Sequence, residues 1–131
     1  MQQEIADTEG LAIFVYDSGK MKRDGVHWRA FLPGKDNERS LFRVDELSEQ
    51  EIALIGRAGA AGNRQDQQLQ GWAQIGASDV RSRPPLELIA DEPPPRHGVI
   101  KGWPAALEER NKLAMALAGV ARTVRCVDQV A

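Results

Sequence analysis

Cysteine is almost missing from this chain. Cys126 is the only one among 131 residues, so no disulfide can close within the chain and a four-cysteine zinc site is excluded. Histidine is nearly as scarce. His27 and His97 are the only two, and their spacing resembles neither HExxH nor another closed ligand motif, so no metal and no cofactor is expected. Phosphate-cradling patterns such as GxGxxG and GxxxxGK[ST] do not occur. The one glycine-rich stretch, GRAGAAG at 56–62, falls at the end of a predicted helix, where it would not wrap a phosphate. GASDV lacks the glycine pair of a nucleophile elbow. Cys126 is read as lying near the C-terminal end of a helix, where the helix dipole disfavours a thiolate. With no catalytic motif of its own, the chain reads as a binding protein rather than an enzyme.

Long apolar runs are missing too. None approaches the roughly 18 residues of a membrane span, and the opening MQQEIADTEG is polar and acidic, without the apolar core of a signal peptide. A cytoplasmic protein with no membrane association is the expectation. Neither sign of charge dominates: 17 Lys and Arg stand against 19 acids, a formal net charge of -2. This argues against a surface given over entirely to nucleic acid but leaves room for local basic patches.

What the chain does have is a hydrophobic fraction of 42%, enough for one core. Its length fits a single compact domain, since domains usually hold about 100–200 residues. Residues 1–9 read as a flexible tail. LAIFVY, Leu11 to Tyr16, is a continuous run of β-formers closed by turn chemistry in DSGK and predicts a buried strand. VHWRAFL alternates, with Val26, Trp28, Ala30 and Leu32 on one face and His27, Arg29 and Phe31 on the other, the two-residue period of a half-buried strand. SLFRV at 40–44 predicts a third strand, and the short connections predict an antiparallel meander.

In LSEQEI, Ser48 and Glu51 have the spacing of a capping box, and Leu47 with Ile52 that of a hydrophobic staple. A helix is predicted from Ser48 toward Asn63, with Ile52, Ile55, Ala58 and Gly59 as its buried face. NRQDQQLQ at 63–70 reads as a solvated connection. A strand within 69–80 is weakened by Gly71 and Gly76, and 86–90 makes a better one, set off by Arg83-Pro84-Pro85. A last helix is predicted to open at Trp103-Pro104. Leu113, Leu117, Val120, Val124 and Val127 recur every three or four residues along it as one apolar stripe. The fold class is therefore α+β: an antiparallel sheet of four to five strands, one mid-chain helix, and a long C-terminal helix packed on one face.

The most densely written stretch is EPPPRHGVIKGWP, residues 92–104. Its prolines predict a stiff extended spacer. Arg96 and His97 form a candidate acid/base or phosphate-binding pair. The preferred reading is structural: His97 bonds a neighbouring carbonyl, and Trp103 plugs the core at the entry to the last helix. Lys20, Lys22 and Arg23 make a basic loop, and Arg81, Arg83, Arg96 and Lys101 a second basic group. Ala114, Ala118 and Ala121 give the last helix a small-residue face suited to a partner. The expected function is a small non-catalytic interaction module or accessory subunit that binds another protein or its own copy. The alternative is a nucleic-acid or nucleotide-phosphate binder or enzyme that uses Arg96, His97 and Lys101, with Lys20, Lys22 and Arg23 in electrostatic support.

Overall fold

The computed structural model describes residues 4–63 and 68–126; the expectations for residues 64–67 and for Val127 lie outside them. The apolar run LAIFVY becomes β1 (Gly10–Val15). It is apolar throughout because both of its faces are covered. Leu11 and Ile13 enter one core cluster with Ala114 and Leu117, while Ala12 and Phe14 enter a second with Ile52 and Ala53.

The other elements follow in the order β2 (Met21–Lys22), β3 (Gly25–Val26), β4 (Arg39–Arg43), α1 (Glu49–Asn63), β5 (Gly71–Gly76), α2 (Ala77–Arg81), β6 (Glu87–Ala90), β7 (His97–Lys101), α3 (Leu107–Val120) and β8 (Arg122–Arg125). The architecture is α+β. One six-stranded antiparallel sheet runs β6-β7-β4-β1-β5-β8, and β2 and β3 pair separately as a small ribbon. Helix α1 covers one face of the sheet, and α2 and α3 the other.

Helix α1 starts where its sequence says. The Ser48 hydroxyl accepts from the Glu51 amide at 3.1 Å, and the Glu51 carboxylate accepts from the Ser48 amide at 2.8 Å. Leu47 and Ile52 join the same cluster. Ser48→Ala should lower stability by about 0.5–2 kcal/mol, visible as a lower urea midpoint; an unchanged midpoint would show that the cap contributes nothing. The buried face differs in detail from the prediction. Ile52, Ala53 and Gly56 point inward, whereas Ala58 is exposed. Gly56 is what lets the helix lie close, since a Cβ there would stand 2.7 Å from the Phe14 ring. The glycines of GRAGAAG thus include a packing contact.

Four expectations are corrected. First, 26–32 is not a strand. Only Gly25–Val26 pairs as a strand, and Trp28–Phe31 is a 3-10 turn capped by His27, whose Nδ1 accepts from the Arg29 amide at 3.1 Å. The cap and the following Pro33 favour a turn over continued pairing, and Phe31 becomes fully buried.

Second, the terminal helix begins three residues after Pro104 and ends at Val120. Val124 lies instead on β8, opposite Trp72. Arg-Thr-Val-Arg alternates with β-branched residues at its centre, and the open edge of β5 supplies pairing. This strand and β7 bring the sheet to six.

Third, 92–96 is a hairpin loop and not an extended spacer. The Asp91 amide donates to the His97 carbonyl at 2.9 Å, the Glu92 carboxylate accepts from the Arg96 amide at 2.9 Å, and Arg96 takes a left-handed φ of 70°. Fourth, the segment read as a tail is anchored from Ile5 onward. Ile5 is 2% exposed in the core, and Glu9 forms a 2.7 Å ion pair with Arg43 that holds its carboxyl below the usual range.

Candidate functional site

Strands β1 and β4 are neighbours, yet they pair only at Leu11↔Arg43 and Ala12↔Phe42. Beyond that point β1 stays with β5 as far as Val15↔Gly71, and β4 stays with β7 as far as Arg39↔Ile100. The sheet therefore forks. The Arg39 side chain bridges the fork: its Nε donates to the Ala30 carbonyl at 2.7 Å and its Nη2 to the Phe14 carbonyl at 3.4 Å. Among the described residues no carboxylate forms an ion pair with it. Burial pulls the guanidinium down to about 10, which leaves it cationic at neutral pH. Beside it, burial pushes the Tyr16 phenol up, against the opposing pull of Arg39, and the phenol donates to the Gly56 carbonyl at 2.8 Å.

Two grooves of similar size, ≈ 910 and ≈ 900 Å³, open on either side of this bridge and share Phe14, Tyr16, Arg39 and Ser40. Their chemistry differs. The first mixes charges: Lys20, Arg29 and Arg39 line it together with Asp17, Asp36 and Glu38. The second lies between α1 and the hairpin loop. It is walled by Phe14, Phe42, Ile55, Pro94 and Pro95, carries Arg39, Arg96 and His97, and has no acidic residue among the described residues that line it.

An aromatic row runs along the sheet beneath this second groove. Trp72 meets Phe14 at 6.0 Å between ring centroids, Phe14 meets Phe42 at 5.7 Å, and Phe42 meets His97 edge-on at 5.3 Å. These residues come from four adjacent strands, β5, β1, β4 and β7, in cross-strand or diagonal positions where rings reach one another. His97 is further fixed from behind. Its Nδ1 lies 2.9 Å from the Asp91 carbonyl oxygen and 3.4 Å from the Asp91 carboxylate. A carbonyl can only accept, so Nδ1 carries the proton and Nε2 is left as the acceptor in the neutral ring.

No family model, curated protein or solved structure matches this chain. The site therefore rests on its geometry.

The structure gathers some of the candidate residues and scatters others. Arg96 and His97 come together at the second groove, and the Arg96 guanidinium also donates to the Arg43 carbonyl at 3.3 Å. Lys101 sits at the far end of β7, 3.4 Å from the Glu38 carboxylate. Lys20 lines the first groove, whereas Lys22 and Arg23 are exposed on the β2–β3 ribbon, where their carbonyls accept from Arg125. Arg81 pairs with Asp7 at 2.6 Å, and Arg83 donates to the Asp79 carbonyl. Ala114 is fully buried within the chain, and Ala118 and Ala121 pack half-buried against the same core. Burial pushes the Cys126 thiol up. Among the described residues no group of three or more potential ligands could hold a metal, and no helix is long and apolar enough to cross a membrane.

Sequence reasoning missed Arg39, Tyr16 and Phe42 as site residues. The available signal was slight: an arginine directly ahead of SLF, a strand segment that otherwise reads as apolar.

Proposed function

We propose that this chain is a non-catalytic binding module whose ligand is a small organic anion, held in the groove between α1 and the β6–β7 hairpin loop. The observation that carries this reading is Arg39, a half-buried cation without a carboxylate partner among the described residues, lining a groove walled by Phe14, Phe42, Ile55, Pro94 and Pro95. A charge in such surroundings is stabilised by an anion far more than one in water would be. The groove's size falls within the usual range of ligand sites, roughly 300–1,000 Å³. Its apolar walls and few polar groups also match such sites. Binding rather than turnover is proposed because backbone contacts hold the polar groups in place: Arg39 by Ala30 and Phe14, Tyr16 by Gly56, and His97 by Asp91.

The test is a thermal-shift and NMR titration of the full chain against a mixed panel of carboxylates and phosphate esters, their uncharged analogues, and a fluorescent oligonucleotide at low salt. Organic anions should raise the melting temperature, and their shift changes should cluster on α1, β4 and β7. Ala58→Trp, which puts a large ring into the groove from an exposed helix position, should abolish the response. Tight oligonucleotide binding that steepens as salt is lowered would overturn this reading in favour of nucleic acid. Indifference to every anion would end it outright.

A further inference from the structure

Resting on that reading, we infer that the ligand of the second groove is a monocarboxylic acid with an apolar body, its carboxylate seated on Arg39 at the fork and its body lying against Phe42 and Ile55.

Two guanidiniums line the groove, and that of Arg39, at the fork, already gives one N–H to Ala30 and one to Phe14. Its remaining N–H groups form a planar fork that matches a planar carboxylate. A phosphate would need more. Sites for phosphate dianions assemble several backbone amides, usually at a helix N-terminus or a glycine-rich loop. Here α1 meets the groove through Ile55, Ala58 and Gly59, about the middle of the helix and beyond the first turn with its free N–H groups after Ser48. A helix presents unpaired N–H groups only in its first turn, so α1 offers none to a second negative charge here. Arg96 is the other permanent cation, but it stands on the exposed hairpin loop and donates to the Arg43 carbonyl.

The walls supply the rest. Phe42 and Ile55 are both partly buried, packed on the α1-side core and still lining the open groove. Covering them with an apolar body removes hydrocarbon surface from water on both sides, which favours binding. A bare inorganic anion gains none of this, and an uncharged apolar molecule leaves Arg39 without its partner. The two halves of the groove together select an amphipathic monoacid.

The experiment is calorimetric titration of the full chain with 4-phenylbutyrate, 4-phenylbutan-1-ol, phenyl phosphate and inorganic phosphate. The carboxylate should bind saturably and the other three at least about tenfold more weakly, the loss expected when a charge-assisted hydrogen bond is removed or mismatched. Arg39→Lys should weaken 4-phenylbutyrate by a similar factor. Because that change touches contacts that brace β1 to β4, Ala58→Trp provides the second variant, which should fold normally and bind none of the probes. If phenyl phosphate binds as tightly as 4-phenylbutyrate, the ligand class is wrong while the anion groove stands. If the alcohol binds as well as the acid, Arg39 is not the anchor and the inference fails. If neither the carboxylate nor the phosphates bind, the inference and the reading beneath it fall together.

Discussion

Trp103→Ala should lower the unfolding free energy by about 3–5 kcal/mol, the usual cost of removing a large aromatic from a core. Trp103 is 4% exposed and packs in the cluster beneath α3. Its indole donates to the Ile100 carbonyl at 3.1 Å, so the ring is fixed in orientation as well as buried. The chain can enter this corner only because the preceding residue is glycine. Gly102 has φ of 81°, and a Cβ there would stand 2.3 Å from the Pro85 carbonyl oxygen. On the outer side, the Asn37 amide donates to the Trp103 carbonyl at 3.3 Å and the Asn37 side-chain oxygen accepts from Arg110 at 2.6 Å, which ties the corner to α3. Urea unfolding checks this, and a variant with a normal midpoint would show that the ring is not a keystone of the corner. His97→Ala should behave differently. His97 lies on the opposite face of the sheet, edge-on to Phe42 at the groove, so its loss should act chiefly on ligand affinity.

The stretch from Glu92 to Pro104 is therefore both a corner and a wall of the candidate site, because it holds a strand. Residues that alternate along β7 face opposite sides of the sheet, which lets one short segment serve the core beneath α3 and the groove beside α1. Proline, histidine and tryptophan marked the segment in the sequence, but its division between two faces needs the register with β4, namely Phe42↔His97 and Arg39↔Ile100.

Elements defined by local chemistry were legible: the Ser48–Glu51 cap, the apolar run of β1, the strand at 86–90. The fork was not. It arises where β1 follows β5 and β4 follows β7, which is a property of non-local pairing, and no spacing within either strand encodes it. Arg39 was hidden for the same reason, since what sets it apart is the lack of a carboxylate partner in space. The apolar stripe beyond Val120 misled in a different way. Valines at 120, 124 and 127 satisfy helical spacing, but the free edge of β5 outweighed that local preference and drew 122–125 into the sheet.

Phe31→Ala should cost about 3–5 kcal/mol, and it separates two pictures of 26–32 that predict opposite results. In an alternating strand, Phe31 shares the polar face with His27 and Arg29, and its truncation would be close to neutral, within about 0.5 kcal/mol for an exposed surface site. In the 3-10 turn it is 0% exposed and belongs to the main core cluster with Ile13, Leu41 and Leu117. Leu32→Ala reverses the ordering between the two pictures, because Leu32 is inward in the strand but only partly buried in the structure. Measuring both by urea unfolding decides the matter: a larger loss for Leu32 than for Phe31 would restore the strand. The consequence reaches the groove as well. The same turn presents the Ala30 carbonyl to Arg39 Nε at 2.7 Å, so a milder change, Phe31→Leu, should leave the chain folded while loosening that carbonyl. Affinity for a carboxylate probe should then fall although residue 31 lines neither groove. Unchanged affinity in a folded Phe31→Leu chain would show that Arg39 holds its place in the fork without the turn.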